Sequence, residues 1–280
     1  MNYTIHHTTQ YHYSKPVFLE PHTLRFRPRT DARQRLLACR MEIDPAPVAR
    51  ADLIEAEGCI ATRVWFSGIV PQLTIRSECD VEILATNPFD FIPDQPHIPV
   101  QYDPAVAVLL APGLQRRFSD RDVDQIVEEV LVNTGRETIG FLTELCQRIH
   151  SAVVYTHRAD GPPYSPAETL ACGSGACRDL VVLYMDCCRA AGFAARFVSG
   201  YTCQPDDDGL RCLHAWAEVY VPGGGWRGFD PTHGLAVVDD HIAVVASAEP
   251  EQASPVSGSF RGTATADVIT SIRFAGDAAA

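Results

Sequence analysis

The chain has 280 residues, 46% of them hydrophobic and 21% charged, enough apolar material for one large domain or two small ones and too much chain for a staple-dependent miniprotein. It contains no run of about 18 apolar residues that could cross a bilayer as a helix. Lysine and arginine number 23 against 35 aspartates and glutamates, and the resulting net charge of −12 repels phosphate backbones and anionic membranes, which excludes nucleic-acid and membrane-surface roles without a local basic patch.

The residues Met1-Asn2-Tyr3-Thr4-Ile5-His6-His7 lack a basic n-region and an apolar h-region, so the sequence predicts no secretory signal and a cytoplasmic protein. Ten cysteines are too dilute in 280 residues to form a disulfide scaffold. In a reducing compartment each thiol packs, binds metal or acts as a nucleophile.

From Tyr3 to about Thr86 the chain reads as short strand runs, among them Leu36 to Ile43, Ala61 to Phe66 and Leu73 to Ala85, with prolines at the run edges. This predicts an antiparallel β-sandwich-like domain over residues 1–105. Prolines at 88, 93, 96, 99, 104 and 112 predict an extended linker rather than a long helix. The period then changes, and residues 106–245 read as an α+β domain. Amphipathic helices are expected from Asp122 to Val132 and from Phe141 to Val153, and a third from Cys177 to Ala191, stopped by Gly192. Strands follow at Phe193 to Thr202, Arg211 to Val221 and Trp226 to Asp230, with Asp206-Asp207-Asp208-Gly209 as a solvated hairpin tip. No glutamate follows those aspartates at the spacing a calcium loop needs. Residues 246–280 read as a loose loop and one strand, Asp267 to Phe274, closing the second domain.

The chemistry concentrates between residues 173 and 233. In Gly173-Ser174-Gly175-Ala176-Cys177-Arg178-Asp179 a cysteine stands at a helix start, where unpaired backbone N–H groups and the helix dipole favour thiolate. The glycines allow close approach of a substrate carbonyl, and the Cys177 N–H can face the developing oxyanion. A thiolate nucleophile needs a proton shuttle, which His214 provides; Asp230, at the end of the next strand, is placed to orient it. Alternation puts His214, Trp216, Glu218 and Tyr220 on one face of their strand, with Trp216 as a cleft wall. The remaining thiols are expected to pack. Cys172, five residues before Cys177, could trap an oxidised nucleophile as a disulfide. A zinc site built from Cys172, Cys177, Cys203, Cys212 and His214 lacks the second short knuckle, and no metal or other cofactor is expected.

These motifs resemble the bacterial transglutaminase-like superfamily: Gly175-x-Cys177-Arg178-Asp179, His214-Ala215-Trp216 and Phe229-Asp230-Pro231-Thr232 occur in order, with Arg196-Phe197-Val198-Ser199-Gly200-Tyr201 between them. Tyr11-x-Tyr13-Ser14-Lys15-Pro16-Val17 and Leu24-Arg25-Phe26-Arg27-Pro28 are similar to the β domain that precedes the core in such bacterial proteins. The resemblance implies a papain-like α+β transglutaminase core with catalytic Cys177, His214 and Asp230. Gly175, Tyr155, Tyr201 and Trp216 are cleft candidates, the tyrosines as possible oxyanion side chains. It further implies acyl transfer on amide or peptide bonds of a peptide or protein substrate through a thioester, with hydrolysis favoured over amine cross-linking. A non-catalytic binding module of the same fold is the competing reading. The family likeness also suggests an ATP-grasp-type ligase as a system partner.

Overall fold

The structure, a computed structural model, describes residues 1–158, 161–204 and 211–275. Alternating apolar residues in the first third build β1 (Asn2–Leu19), β2 (His22–Leu24), β3 (Gln34–Asp44), β4 (Ala49–Ile54), β5 (Ile60–Trp65) and β6 (Ile69–Ile83). Helices α1 (Pro104–Leu114), α2 (Arg121–Asn133) and α3 (Thr138–Ala152) follow. Next come β7 (Val154–Tyr155), α4 (Pro166–Cys172), β8 (Ser174–Gly175) and α5 (Cys177–Ala190). The remaining strands are β9 (Ala195–Thr202), β10 (Leu213–Val221), β11 (Gly225–Asp230), β12 (Leu235–Ala236), β13 (His241–Ser247), β14 (Val256–Ser257), β15 (Phe260–Arg261) and β16 (Ala266–Phe274).

The strands form two antiparallel N-terminal sheets, ordered β15-β1-β6-β3 and β14-β2-β5-β4, with β16 also paired to β1. Their facing residues, including Val17, Leu19, Leu24, Phe26, Val64, Leu73 and Ile75, make a buried core between the sheets, as the sandwich reading predicts. A third antiparallel sheet, β12-β11-β10-β9-β13, carries the second domain. Ala215, Ala217 and Val219 of β10 pack with Leu180, Leu183 and Tyr184 of α5 and with the apolar faces of α2 and α3.

Two parts of the organisation differ from expectation. Residues 246–253 stay with the second domain, in the end of β13 and a short turn against β9, but the described tail beyond them does not close it: β14, β15 and β16 return to the first, where β16 pairs with β1 from Ile5↔Phe274 to Tyr13↔Ala266. An unpaired β1 edge draws the tail back. The proline-rich stretch also ends in a helix, α1. Pro104 sits at its first position behind the Asp103 cap, where the missing N–H has no helical partner to lose, whereas Pro112 gives up one bond to Val108 O in the last turn, and the helix ends two residues later. The aspartate run 206–208 lies outside the described residues. Among the described residues no helix is long and apolar enough to cross a membrane.

The first domain also covers one face of the third sheet. The Gln34 side-chain amide donates to Ala243 O at 2.8 Å and accepts from the Ala243 N–H at 2.8 Å. Arg29 reaches across to Glu218 on β10, which also binds Arg196. Ile5, Val81 and Ile83 of the first sheet pack with Tyr201, Ile242 and Val244.

Candidate active site

Cys177 opens α5 behind Ala176. The turn is fixed by Asp179, a fully buried carboxylate. Its Oδ2 accepts the Ala176 N–H at 2.7 Å, and its Oδ1 accepts the Tyr164 N–H at 2.8 Å and the Arg158 guanidinium at 2.6 Å. Gly175 is required by the same group, because a Cβ there would lie 2.9 Å from Asp179 Cβ. Strand β8 brings Tyr155 opposite Gly175 in a short parallel pair, so this cleft candidate does stand beside the Cys177 segment.

His214 lies near the start of β10, 8% exposed, with Nε2 2.7 Å from Asp230 Oδ2. The Cys177 side chain lies beside the same ring and helps to hold its proton, and with Nε2 on Asp230 the nitrogen left to the sulfur is Nδ1. Burial alone would push this imidazole down; the Asp230 charge and hydrogen bond, with the Cys177 partner, outweigh it and hold His214 up at about 10. The β10–β11 register pairs Ala217 with Phe229, which puts Asp230 one step beyond, beside His214. Burial opposes ionisation of Asp230, but the His214 charge and the hydrogen bonds of three imidazoles hold its carboxyl well below the usual range. The structure therefore brings Cys177, His214 and Asp230 together.

Two further residues, which sequence reasoning missed, join them. His233 Nδ1 lies 2.7 Å and His241 Nε2 2.9 Å from the same Asp230 Oδ2, and Oδ1 accepts the Thr232 N–H at 2.8 Å. His233 carried a weak signal, standing three residues after Asp230 in a turn. His241 carried none: β13 adds to the sheet beyond β9, and only the fold brings its first residue back to the end of β11.

Two cleft candidates are corrected. Tyr201 is 1% exposed and its hydroxyl meets His7 Nδ1 at 2.9 Å, so it seals the junction between the domains rather than facing a substrate. Trp216, also 1% exposed, is packed with Val198, Val237, Ala243 and Ala246 beneath the histidines, its ring 6.3 Å from His214 and 5.0 Å from His241. Alternation placed it on the face of His214, but the first domain covers that face. Gly200 makes room for it: a Cβ would come 2.7 Å from the indole and 2.2 Å from Ile242 O. Gly200→Ala is expected to destabilise the fold by about 3 kcal/mol, since a backbone oxygen cannot move aside as a flexible side chain can. Urea unfolding checks this, and a loss below about 1 kcal/mol would contradict it.

His214, Asp230, His233 and His241 place their ligand atoms within 4.8 Å of one another, an imidazole and carboxylate set that suits zinc. Their arrangement fits proton sharing better. All three ring nitrogens converge on one carboxylate oxygen at 2.7–2.9 Å, hydrogen-bond distance and closer than the about 3.3 Å that separates ligand atoms around a tetrahedral ion with bonds of about 2.0–2.1 Å. Prolonged EDTA treatment is accordingly expected to leave the alkylation rate of Cys177 unchanged within twofold, as measured by mass spectrometry; a larger change would show a resident metal.

Comparison with known proteins agrees with this architecture. The family model described as the bacterial transglutaminase-like N-terminal region matches residues 3–82, and that of the transglutaminase-like superfamily matches residues 124–231. The uncharacterised protein Rv2569c of Mycobacterium tuberculosis is 28% identical over 273 residues, covering 91% of this chain and 86% of its own. The uncharacterised protein ML0607 of Mycobacterium leprae is 24% identical over 288 residues, covering 95% and 96%. The crystal structure of a candidate cysteine protease from Cytophaga hutchinsonii superposes with a TM-score of 0.72 at 18% identity, covering 100% of this chain and 92% of its own, a likeness of fold. The sandwich at residues 3–82 and the core that carries Cys177, His214 and Asp230 together make this chain a member of the bacterial transglutaminase-like superfamily.

Proposed function

We propose that the protein is a cysteine-nucleophile acyl-transfer enzyme that cleaves an amide or peptide bond of a peptide or protein through a thioester, with water as the usual acceptor. The observation that carries this reading is the position of His214, bonded to the buried Asp230 carboxylate and set beside the Cys177 side chain at the start of α5. The Cys177 thiolate attacks the carbonyl carbon, and the Cys177 backbone N–H at the start of α5 receives the oxyanion. His214 then gives its proton to the departing amine as the C–N bond breaks, leaving the thioester. Water adds next, His214 takes its proton, and collapse releases the acid and the Cys177 sulfur, which recovers its proton relation with His214. Asp230 holds the ring so that Nδ1 stays on the sulfur side. Water is the simpler acceptor because amine transfer also requires a channel that excludes water from the thioester.

A screen of peptide and isopeptide substrates, with and without an added primary amine, tests the reading. Wild type should release amine and acid, Cys177→Ala should release neither, and added amine should leave the products unchanged. Equal rates for the two proteins would remove the enzymatic reading and favour a binding module. Capture of the added amine as a new amide would instead make the enzyme a transglutaminase.

A further inference from the structure

Asp230 is not the end of the polar chain. His241, 3% exposed, presents Nε2 to Asp230 Oδ2 at 2.9 Å and Nδ1 to Asp240 Oδ1 at 2.5 Å. A neutral imidazole has one N–H and could donate to only one of these carboxylates, leaving a lone pair pressed against the other oxygen. Both contacts are satisfied only when His241 carries two protons. The order outward from the Cys177 sulfur is then imidazolium, carboxylate, imidazolium, carboxylate: His214, Asp230, His241, Asp240. The outer end is less buried, with the Asp240 side chain 22% exposed and its Oδ2 accepting the Gln204 amide at 2.5 Å.

We infer that His241, kept as an imidazolium by Asp240, is a positioning residue that pins Asp230 Oδ2 on His214 and weakens the hold of Asp230 on the His214 proton. Two cations share one carboxylate oxygen, and their ring centroids are 5.8 Å apart, so each lowers the proton affinity of the other. His214 must surrender its proton to the departing amine, and a carboxylate whose charge is partly spent on His241 lets it do so more readily. The other groups around His241 are His233, which donates to the same oxygen, and Trp216, whose ring packs edge-on at 5.0 Å. Of the described residues, Asp230, Asp240, His214 and His233 are the titratable ones that face it.

The inference rests on the reading of Cys177, His214 and Asp230 as the reacting set, but its test needs no turnover. Carbon-13 histidine labelling of the full chain, with resonances assigned by single-histidine variants, gives the titration midpoint of His214 directly. In His241→Gln, which keeps a side-chain donor but no charge, the midpoint should move up by about one pH unit or more, the effect of removing a like charge 5.8 Å away. Asp240→Asn lies nearer the surface and keeps an acceptor for Nδ1; it should move the midpoint the same way by less, because His241 then loses its proton sooner. If His241→Gln fails to fold, Asp240→Asn carries the test. A downward move in either variant would mean that His241 only props up Asp230, and an unchanged midpoint would mean that it carries no charge; both overturn the inference. The predicted shifts in a protein that cleaves no amide would sink the functional reading and leave this one standing.

Discussion

Asp230→Asn is expected to slow acyl transfer by about 10⁴-fold while leaving the fold intact. The carboxylate accepts four N–H groups, three from imidazoles and one from the Thr232 backbone. An asparagine of the same shape offers one oxygen and turns an NH2 group toward ring nitrogens that had been donating. His214 then either loses its anchor or changes tautomer, and Nδ1 no longer serves the sulfur. The charge that holds His214 up at about 10 is also gone, so at neutral pH the variant lacks the proton that the leaving amine needs. Stability should respond in the same sense. A histidine raised on folding contributes fully below its ordinary value near 6.5 and loses that contribution as pH climbs through about 10. Wild type should therefore lose stability between pH 6.5 and 10, and Asp230→Asn should show much less of this slope. Steady-state rates on the best substrate of the screen, with urea unfolding across that range, measure both; activity within tenfold of wild type would count against the role assigned to Asp230.

Glu218→Ala is expected to cost about 3–5 kcal/mol of stability, enough to unfold many domains of ordinary stability. Glu218 is 4% exposed and is the shared acceptor of Arg29 from the first domain and Arg196 from β9. Arg196 in turn lies over the Trp226 ring, 4.1 Å from its centroid. Truncation takes from Arg196 its carboxylate partner and leaves Arg29 with Asp31 alone, in a largely buried junction. Burial works against ionisation of Glu218, and the two arginines more than reverse this, taking it down to about 2. A depressed carboxylate contributes above its ordinary value near 4.5 and loses that contribution as pH falls through about 2. Acid unfolding of wild type between pH 4.5 and 2 should thus be steeper than that of Glu218→Gln. Urea titrations of the full chain decide the size, and a cost below about 1 kcal/mol would show that the junction does not depend on this cluster.

Much of this arrangement was legible in the residues. Cys177, His214 and Asp230 lie within one stretch of chain, each in a local motif whose chemistry requires that residue type, and adjacent strands suffice to join the last two. The three amphipathic helices and the strands of the second domain announced themselves by period, whereas the 18-residue β1 was read only as part of a series of short runs. What escaped depends on which surfaces meet. Alternation along β10 assigned Trp216 a face but could not reveal that Arg29 and Gln34 of the first domain cover it. Tyr201 looked available for the same reason, until the first sheet was packed against it. His241 and the return of β16 to β1 follow from sheet order, which no local pattern encodes. The helix from Pro104 to Leu114 was hidden because proline was read by its density rather than by its position in the turn.

The central claim, that Cys177 is an activated nucleophile, is tested most directly by competition among the ten thiols for limiting iodoacetamide at pH 7, followed site by site with mass spectrometry. Cys172 is the built-in control, since it is exposed while Cys177 is only partly so. Accessibility alone would label Cys172 first. The account predicts that Cys177 reacts at least tenfold faster than Cys172, and that His214→Ala removes the advantage. Faster labelling of Cys172, or an advantage for Cys177 that survives the loss of His214, would contradict it.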